Sequence, residues 1–299
     1  MRLSVAVPER PELTGHTRVA GVIGCPVRHS LSPTIVNAAF AAAGLDWAYL
    51  AFEVLEGAAG LAMGGVRALG LEGVSVTMPH KEAVIASLDR LTADAEALQA
   101  VNCVHRAGHE LVGHNTDGPG FVDSLRVDEG IDLDGRTLTV IGAGGAARSV
   151  IRAAARAGAR AIVVVNRTPE AAERAVALAP GVARVGTAEE VGETDLVVNA
   201  TPLGMGVVTG ADGSSEPLPV DPDRLEKGQV VVDLVYHPAA TPLLQAAHER
   251  GLVAVNGLGM LIHQAAHAFR IWTGEEPPLE VMSAAAVSSL LHRGGADQD

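Results

Sequence analysis

The chain has 299 residues, 48% of them hydrophobic, and a formal net charge of −13. That length provides core enough for two domains or one large one, and the acidic excess argues against nucleic acid and anionic membranes as partners. Apolar runs are short and broken by Gly, Pro or charge, so none approaches the roughly 18–20 residues of a spanning helix. The start, Met1 to His16, carries acids and prolines where a secretory signal has an apolar stretch, and a cytoplasmic protein is expected. Cys25 and Cys103 form no CxxC pair and no disulfide framework, which fits a reducing compartment. Any anionic ligand must therefore find a local basic pocket. Such a pocket is feasible because the global field is screened beyond about 8 Å in physiological salt.

Residues 1–16 read as a loose arm. A strand over Val19–Ile23 leads to a helix from Ser32 to Ala43. Trp47–Phe52 precedes a helix over Leu55–Gly64, and Gly73–Val76 precedes one over Glu82–Leu88. Val101–Val104 and Glu110–Gly113, joined by Arg106-Ala107-Gly108-His109, resemble a hairpin. A second alternating series follows: strand Thr137–Ile141, helix 146–157, strand Ala161–Val165, helix 169–178 and strand Leu196–Asn199. Thr209–Pro222, rich in Gly, Ser, Asp and Pro, reads as a surface loop. Strand Val230–Leu234, helix 241–250 and strand Leu252–Val255 close the series. Helices near 259–273 and 279–291 come last, before a polar tail at Arg293–Asp299. Alternation of this kind predicts parallel sheets covered by helices.

Lys81 and Asp117 each follow an apolar, strand-like run, in Val74-Ser75-Val76-Thr77-Met78-Pro79-His80-Lys81 and Gly113-His114-Asn115-Thr116-Asp117. Rigid elements of α/β enzymes place their chemistry at such ends, and an amine beside a carboxylate can move the proton of a hydroxyl. From spacing alone, an ordinary surface lysine and a turn aspartate are the better fit. Gly142-Ala143-Gly144-Gly145-Ala146-Ala147 follows one strand and opens a helix, matching the GxGxxG/A turn that brings a pyrophosphate to a helix N-terminus. In a chain with 34 glycines a chance match is also expected. The next strand runs into Asn166-Arg167-Thr168, where NAD-binding folds place a carboxylate for the ribose hydroxyls. A guanidinium there instead suits the 2′-phosphate of NADP, although a solvated loop arginine would look the same.

Taken in order, nine segments together resemble the shikimate dehydrogenase family. They begin with Ser30-Leu31-Ser32-Pro33, Val76 to Lys81, Ala100-Val101-Asn102 and Asn115 to Gly118. The glycine loop, Asn166-Arg167-Thr168, Asn199-Ala200-Thr201-Pro202-Leu203-Gly204-Met205, Gly257-Leu258-Gly259-Met260-Leu261 and Gln264-Ala265-Ala266 continue the series. The resemblance implies an α/β fold of two α/β domains around a cleft. An N-terminal substrate domain, 1–118, is completed by 257–299, and a Rossmann-type NADP-binding domain occupies 119–256. It also implies reversible, NADP-dependent reduction of 3-dehydroshikimate to shikimate by a monomer or homodimer.

By resemblance, Lys81 and Asp117 form the catalytic pair. Ser30 and Ser32 hold the substrate carboxylate, and Thr77, Asn102 and Gln264 bind ring oxygens. Gly142, Ala143, Gly144, Gly145, Ala146, Asn166, Arg167, Thr168, Thr201 and Gly257 contact the cofactor. Ser32 also reads as an ordinary N-cap before Pro33, a role compatible with anion binding. Two departures stand out. Ala171 replaces the second cation that NADP-using members often carry, and Ser75 stands where Asn is common. His263 and His267 have a zinc-compatible i, i+4 spacing, but with no third ligand or HExxH glutamate they read as packed or solvated helical residues. His80 and His114 flank the catalytic pair and either tune it or fill space. Relatives acting on quinate or an aminated shikimate, with NAD, and a dinucleotide sensor without turnover are the rival readings.

Overall fold

The computed structural model describes residues 12–205 and 218–296. Positions 1–11 of the predicted arm, 209–217 of the predicted surface loop and 297–299 of the tail lie outside the described residues. Two compact units emerge, Met1–Thr116 with Ile262–Asp299, and Asp117–Leu261.

The first unit contains β1 (Arg18–Gly24), α1 (Ser32–Ala42), β2 (Trp47–Glu53), α2 (Ala59–Leu69) and β3 (Gly73–Val76). After these come β4 (Arg90–Leu91), α3 (Ala93–Leu98), β5 (Cys103–Ala107) and β6 (Glu110–His114). The sheet order is β2-β1-β3-β5-β6-β4. β1 is parallel to β2 and β3, whereas β5 runs antiparallel to both β3 and β6. The sheet is therefore mixed: the β5–β6 hairpin turns at Gly108, whose φ of +66° lies in the left-handed region. Ile23, Met63, Val66, Val74, Val76, Val84, Val104 and Leu111 share one core. A second layer forms where α8 (Leu258–Thr273) supplies Phe269 and Trp272. Phe269 meets Phe40 at 5.5 Å between ring centroids, and Trp272 meets Tyr49 at 5.7 Å. The indole N–H of Trp272 donates to the Val104 carbonyl at 3.0 Å. The last helix, α9 (Leu279–Ala296), also belongs to this unit.

Two predicted helices of this unit differ from what the fold contains. The helix placed over Leu55–Gly64 lies at Ala59–Leu69: Gly57 holds φ +84° ahead of it, and the left-handed Gly70 ends it. The segment Glu82–Leu88 forms turns and a single 3₁₀ turn, Ile85–Ser87. There the Lys81 carbonyl, which an α-helix would offer to Ile85, instead accepts from Val101 N–H at 2.8 Å, and Ile85 N–H turns to the Glu82 carbonyl. The hairpin exists but starts at Cys103, with Val101 and Asn102 in the approach to it.

The second unit opens with α4 (Asp117–Asp123), which the sequence reading lacked. It continues through β7 (Thr137–Ile141), α5 (Gly145–Arg156), β8 (Ala161–Val165), α6 (Pro169–Val176), β9 (Ala183–Val185) and β10 (Leu196–Asn199). β11 (Val230–Asp233), α7 (Pro242–Glu249) and β12 (Val253–Asn256) complete it. All strands are parallel, in the order β12-β11-β10-β7-β8-β9. Counted from β7 this is 6-5-4-1-2-3, the doubly wound order, with its switch point between β7 and β10. Buried Val, Ile, Leu and Ala side chains fill the core around β7, β8 and β10. α4 packs on α5 through Gly118, where a Cβ would come within 2.8 Å of the Ala153 methyl.

No helix among the described residues is long and apolar enough to cross a membrane. Cys25 and Cys103 are free thiols.

Candidate functional site

In the first unit the loops after β1 and β3 lie side by side. Cys25 N–H donates to the Met78 carbonyl at 3.0 Å, and Thr77 N–H donates to the Ile23 carbonyl at 3.0 Å. Gly24 permits this approach, since a Cβ there would lie 2.4 Å from the Thr77 methyl. The first of these loops carries Ser30 and leads into α1 at Ser32, and the second carries Thr77 and Lys81. Ser32 is not the N-cap that the sequence suggested. It is the first helical residue, Leu31 is the cap, and the Ser30 hydroxyl accepts from Ser32 N–H at 3.2 Å. The cap position has moved back one residue, and the Ser30 side chain takes the first N–H that the helix leaves unpaired.

Asn102 is buried and held from both sides. Its carbonyl oxygen accepts from Thr116 N–H at 2.7 Å, while its Nδ2 donates to the Thr116 hydroxyl at 2.9 Å and to Gln264 Oε1 at 3.5 Å. Because the Lys81 carbonyl bonds Val101 N–H, the Lys81 backbone lies one residue from this amide. Thr77, Lys81, Asn102 and Gln264 therefore share one hydrogen-bonded end of the mixed sheet. Lys81 is half-buried. Asp117 directly follows Thr116, is 6% exposed and is the first residue of α4. Thr116, which fixes Asn102, was missed: its signal was only a hydroxyl one residue before the singled-out aspartate.

His80 and His114 have separate surroundings. His80 is buried, and its Nε2 donates to the Val54 carbonyl at 2.7 Å, which ties the Lys81 loop to the chain beyond β2. His114 lies near His105, with ring centroids 6.2 Å apart and planes tilted by 52°. Burial, then His105 and Arg90, pull its pKa down to about 4, so its ring is neutral at physiological pH. His263 is buried within α8. No group of three or more His, Cys, Asp or Glu that could hold a metal ion occurs among the described residues.

In the second unit the glycine loop joins β7 to α5. Gly142 has φ +113°, and a Cβ there would lie 3.0 Å from the Ala200 carbonyl oxygen and 3.2 Å from the Thr201 methyl. Thus Gly142 is required both by conformation and by the close approach of the 200–201 backbone across the switch point. A Cβ at Gly144 or Gly145 would meet nothing within 4 Å, and no side chain caps α5 at Gly144. With Ala143 and Ala146 supplying only methyl groups, the start of this 12-residue helix is open, and its first N–H groups have no capping side chain. Gly142 N–H donates to the Val165 carbonyl at 2.8 Å, so Asn166-Arg167-Thr168 leaves β8 next to the loop. Arg167 and Thr168 are exposed, and Asn166 Nδ2 donates to the Thr168 carbonyl at 2.9 Å. Gly257 follows β12 and is locked sterically: a Cβ would lie 2.0 Å from the Leu234 carbonyl oxygen.

A buried polar network that sequence reasoning missed underlies this edge. Asp233 at the end of β11 accepts from Asn199 Nδ2 at 2.9 Å, Val235 N–H at 3.1 Å and the Thr241 hydroxyl at 2.6 Å. Asn199 Oδ1 in turn accepts from the Thr201 N–H at 3.0 Å and hydroxyl at 2.7 Å. Burial raises the Asp233 pKa despite these three donors. A carboxylate ending a Val-Val-Val strand was visible in the sequence, but nothing there named its partners.

Three family models match the chain. The shikimate dehydrogenase substrate binding domain covers residues 22–104, shikimate / quinate 5-dehydrogenase covers 126–218, and the shikimate 5′-dehydrogenase C-terminal domain covers 257–287. The shikimate dehydrogenase (NADP(+)) of Geobacter metallireducens is 43% identical over 291 residues, spanning 93% of this chain and 99% of its own. Among solved structures, a shikimate dehydrogenase in complex with NADP+ superposes with TM-score 0.85 at 36% identity, covering 95% of this chain and 99% of that one. The shikimate 5-dehydrogenase of Thermus thermophilus, in complex with NADP(H) and shikimate, gives TM-score 0.81 at 38% identity, covering 91% and 100%.

Proposed function

The chain belongs to the shikimate dehydrogenase family, and from that premise we propose that it interconverts 3-dehydroshikimate and shikimate with NADP. The observation that carries this reading is the glycine turn at Gly142, closed against Ala200 at the switch point of a doubly wound sheet, with Arg167 leaving the neighbouring strand. The residues present fit a dinucleotide: the open start of α5 offers N–H groups to a pyrophosphate, and Arg167 offers a guanidinium to a 2′-phosphate. Asn166, Thr168, Thr201 and Gly257 complete the cofactor set.

NADP, when bound, supplies or takes up the hydride at the ring carbon. The protein handles the proton. In the reductive direction the Lys81 ammonium gives a proton to the oxygen of the reduced ketone, and in the oxidative direction the Lys81 amine takes it back. Asp117 accepts a hydrogen bond from the same hydroxyl. Thr77, Asn102 and Gln264 orient the ring hydroxyls. Ser30 and Ser32 hold the carboxylate, their hydroxyls donating at the start of α1, where the helix dipole favours an anion.

The substrate domain is 1–118 with 257–299 and the cofactor domain 119–256, in a cytoplasmic monomer or homodimer. The two free thiols fit a reducing compartment. Purified protein given shikimate and NADP will reduce the nicotinamide, followed by its near-ultraviolet absorbance. Absence of turnover with shikimate, alongside turnover of quinate or with NAD alone, sinks the reading.

A further inference from the structure

We propose that Asp233 is a positioning residue for the cofactor site: acting through Asn199, it sets the Thr201–Gly204 loop against the glycine turn at Gly142. This rests on the reading above, in which Thr201 and Gly142 flank NADP. Asp233 and Asn199 are both 0% exposed and belong to adjacent parallel strands, in register at their carboxyl ends. An amide can sit in either of two flipped orientations, and the partners decide between them. An ionised carboxylate only accepts, so Asp233 holds the Nδ2 of Asn199 toward itself at 2.9 Å, the shorter of that nitrogen's two contacts, the other being to the Leu203 carbonyl at 3.3 Å. The Asn199 Oδ1 is thereby turned to Thr201, where it takes both the backbone N–H and the hydroxyl proton.

With its proton committed, the Thr201 oxygen accepts from Leu203 N–H at 3.3 Å, which winds the loop tight. The Thr201 methyl is left beside Gly142. The other carboxylate oxygen takes the Thr241 hydroxyl, and Thr241 in turn caps α7 and lies against Gly204. One buried group thus reaches both ends of the loop. An apolar side chain at 233 would lose this selection, an amide there would weaken it by presenting a donor as well as an acceptor, and a flipped Asn199 would point its Nδ2 at the Thr201 N–H.

The test is the NADP dissociation constant of the folded protein, measured by calorimetry, with the KM for shikimate alongside. Asp233→Asn should weaken NADP about tenfold, the scale of one lost hydrogen-bonded contact, and leave the KM for shikimate within about twofold. The exchanged pair Asn199→Asp with Asp233→Asn restores donor against acceptor and should recover NADP binding to within about threefold. Asn199→Ala leaves Val235 and Thr241 on the carboxylate, and it tests the same relay should Asp233→Asn not fold. A purely structural role lowers Tm in these variants and leaves the affinity of the folded fraction at wild type, which overturns the proposal. Thr201→Ala separates the two levels. Weak NADP binding there with wild-type binding in Asp233→Asn and Asn199→Ala removes the positioning role alone; wild-type binding in all three removes the Thr201 contact and the relay together.

Discussion

The two sheets bring polar groups to their strand ends by different means. In the second unit every strand is parallel, and the order reverses once, between β7 and β10. The residues proposed for the cofactor lie at that reversal: the chain must leave β7, β8 and β10 at one edge, and Gly142 lets two of these exits approach closely. The first unit is mixed, and its polar end is assembled from the loops after β1 and β3, the approach to a hairpin and a helix more than 150 residues later, joined by Asn102, Thr116 and Gln264. A parallel sheet places its site by topology, whereas a mixed sheet needs side-chain hydrogen bonds to do so.

If the units divide the labour as this contrast implies, their variants should separate. Lys81→Ala should lower kcat by roughly a hundredfold to ten-thousandfold, the scale of a lost general acid–base, with NADP affinity unchanged. A kcat near wild type removes Lys81 as the proton carrier. Next come the glycines on which each sheet closes. A Cβ at Gly257 would lie 2.0 Å from a backbone oxygen, and one at Gly73 would lie 2.2 Å from the Trp272 ring nitrogen. Gly257→Ala should cost about 3 kcal/mol or more and Gly73→Ala about as much, because neither a carbonyl nor a buried indole can retreat. Thermal unfolding measures both, and a Tm within error of wild type for either refutes the packing described.

Arg167→Ala and Asn102→Ala form a matched pair. The first should cost on the order of 1.5–3 kcal/mol in kcat/KM with NADP and little with NAD. Equal losses with both cofactors disqualify Arg167 as the phosphate ligand. The second strands the Thr116 N–H and should cost about 1–3 kcal/mol of stability while raising the KM for shikimate and leaving that for NADP. A rise confined to NADP would reverse the assignment of units.

The smallest effect concerns pH. Folding lowers the His114 pKa from its ordinary 6.5 to about 4. Within that window the unfolded chain therefore binds more protons, and stability falls as pH drops through it. Asp233, with its raised pKa, works in the opposite sense, since the folded protein takes up its proton more readily. His114→Gln should flatten the fall in Tm between about pH 6.5 and 4.5. An unchanged slope assigns the acid sensitivity elsewhere.

The alternation of apolar runs with Ala-rich stretches determined most elements by itself. Thr137–Ile141, Ala161–Val165, Leu196–Asn199 and Gly73–Val76 end where hydrophobicity, glycine and charge say they should. Glycines whose need is local, such as the left-handed Gly108 in its turn, were legible for the same reason. What the sequence could not carry is who answers whom. The helix expected over Glu82–Leu88 gave way because the Lys81 carbonyl finds Val101, and Ser32 lost its capping role because α1 starts one residue earlier, with Leu31 at its N-cap and the Ser32 N–H taken by Ser30. Thr116 and Asp233 matter only through partners brought to them by pairing across a sheet. Propensity and periodicity are properties of neighbours along the chain. The orientation of a buried amide depends on groups tens of residues away, and only the tertiary structure selects it.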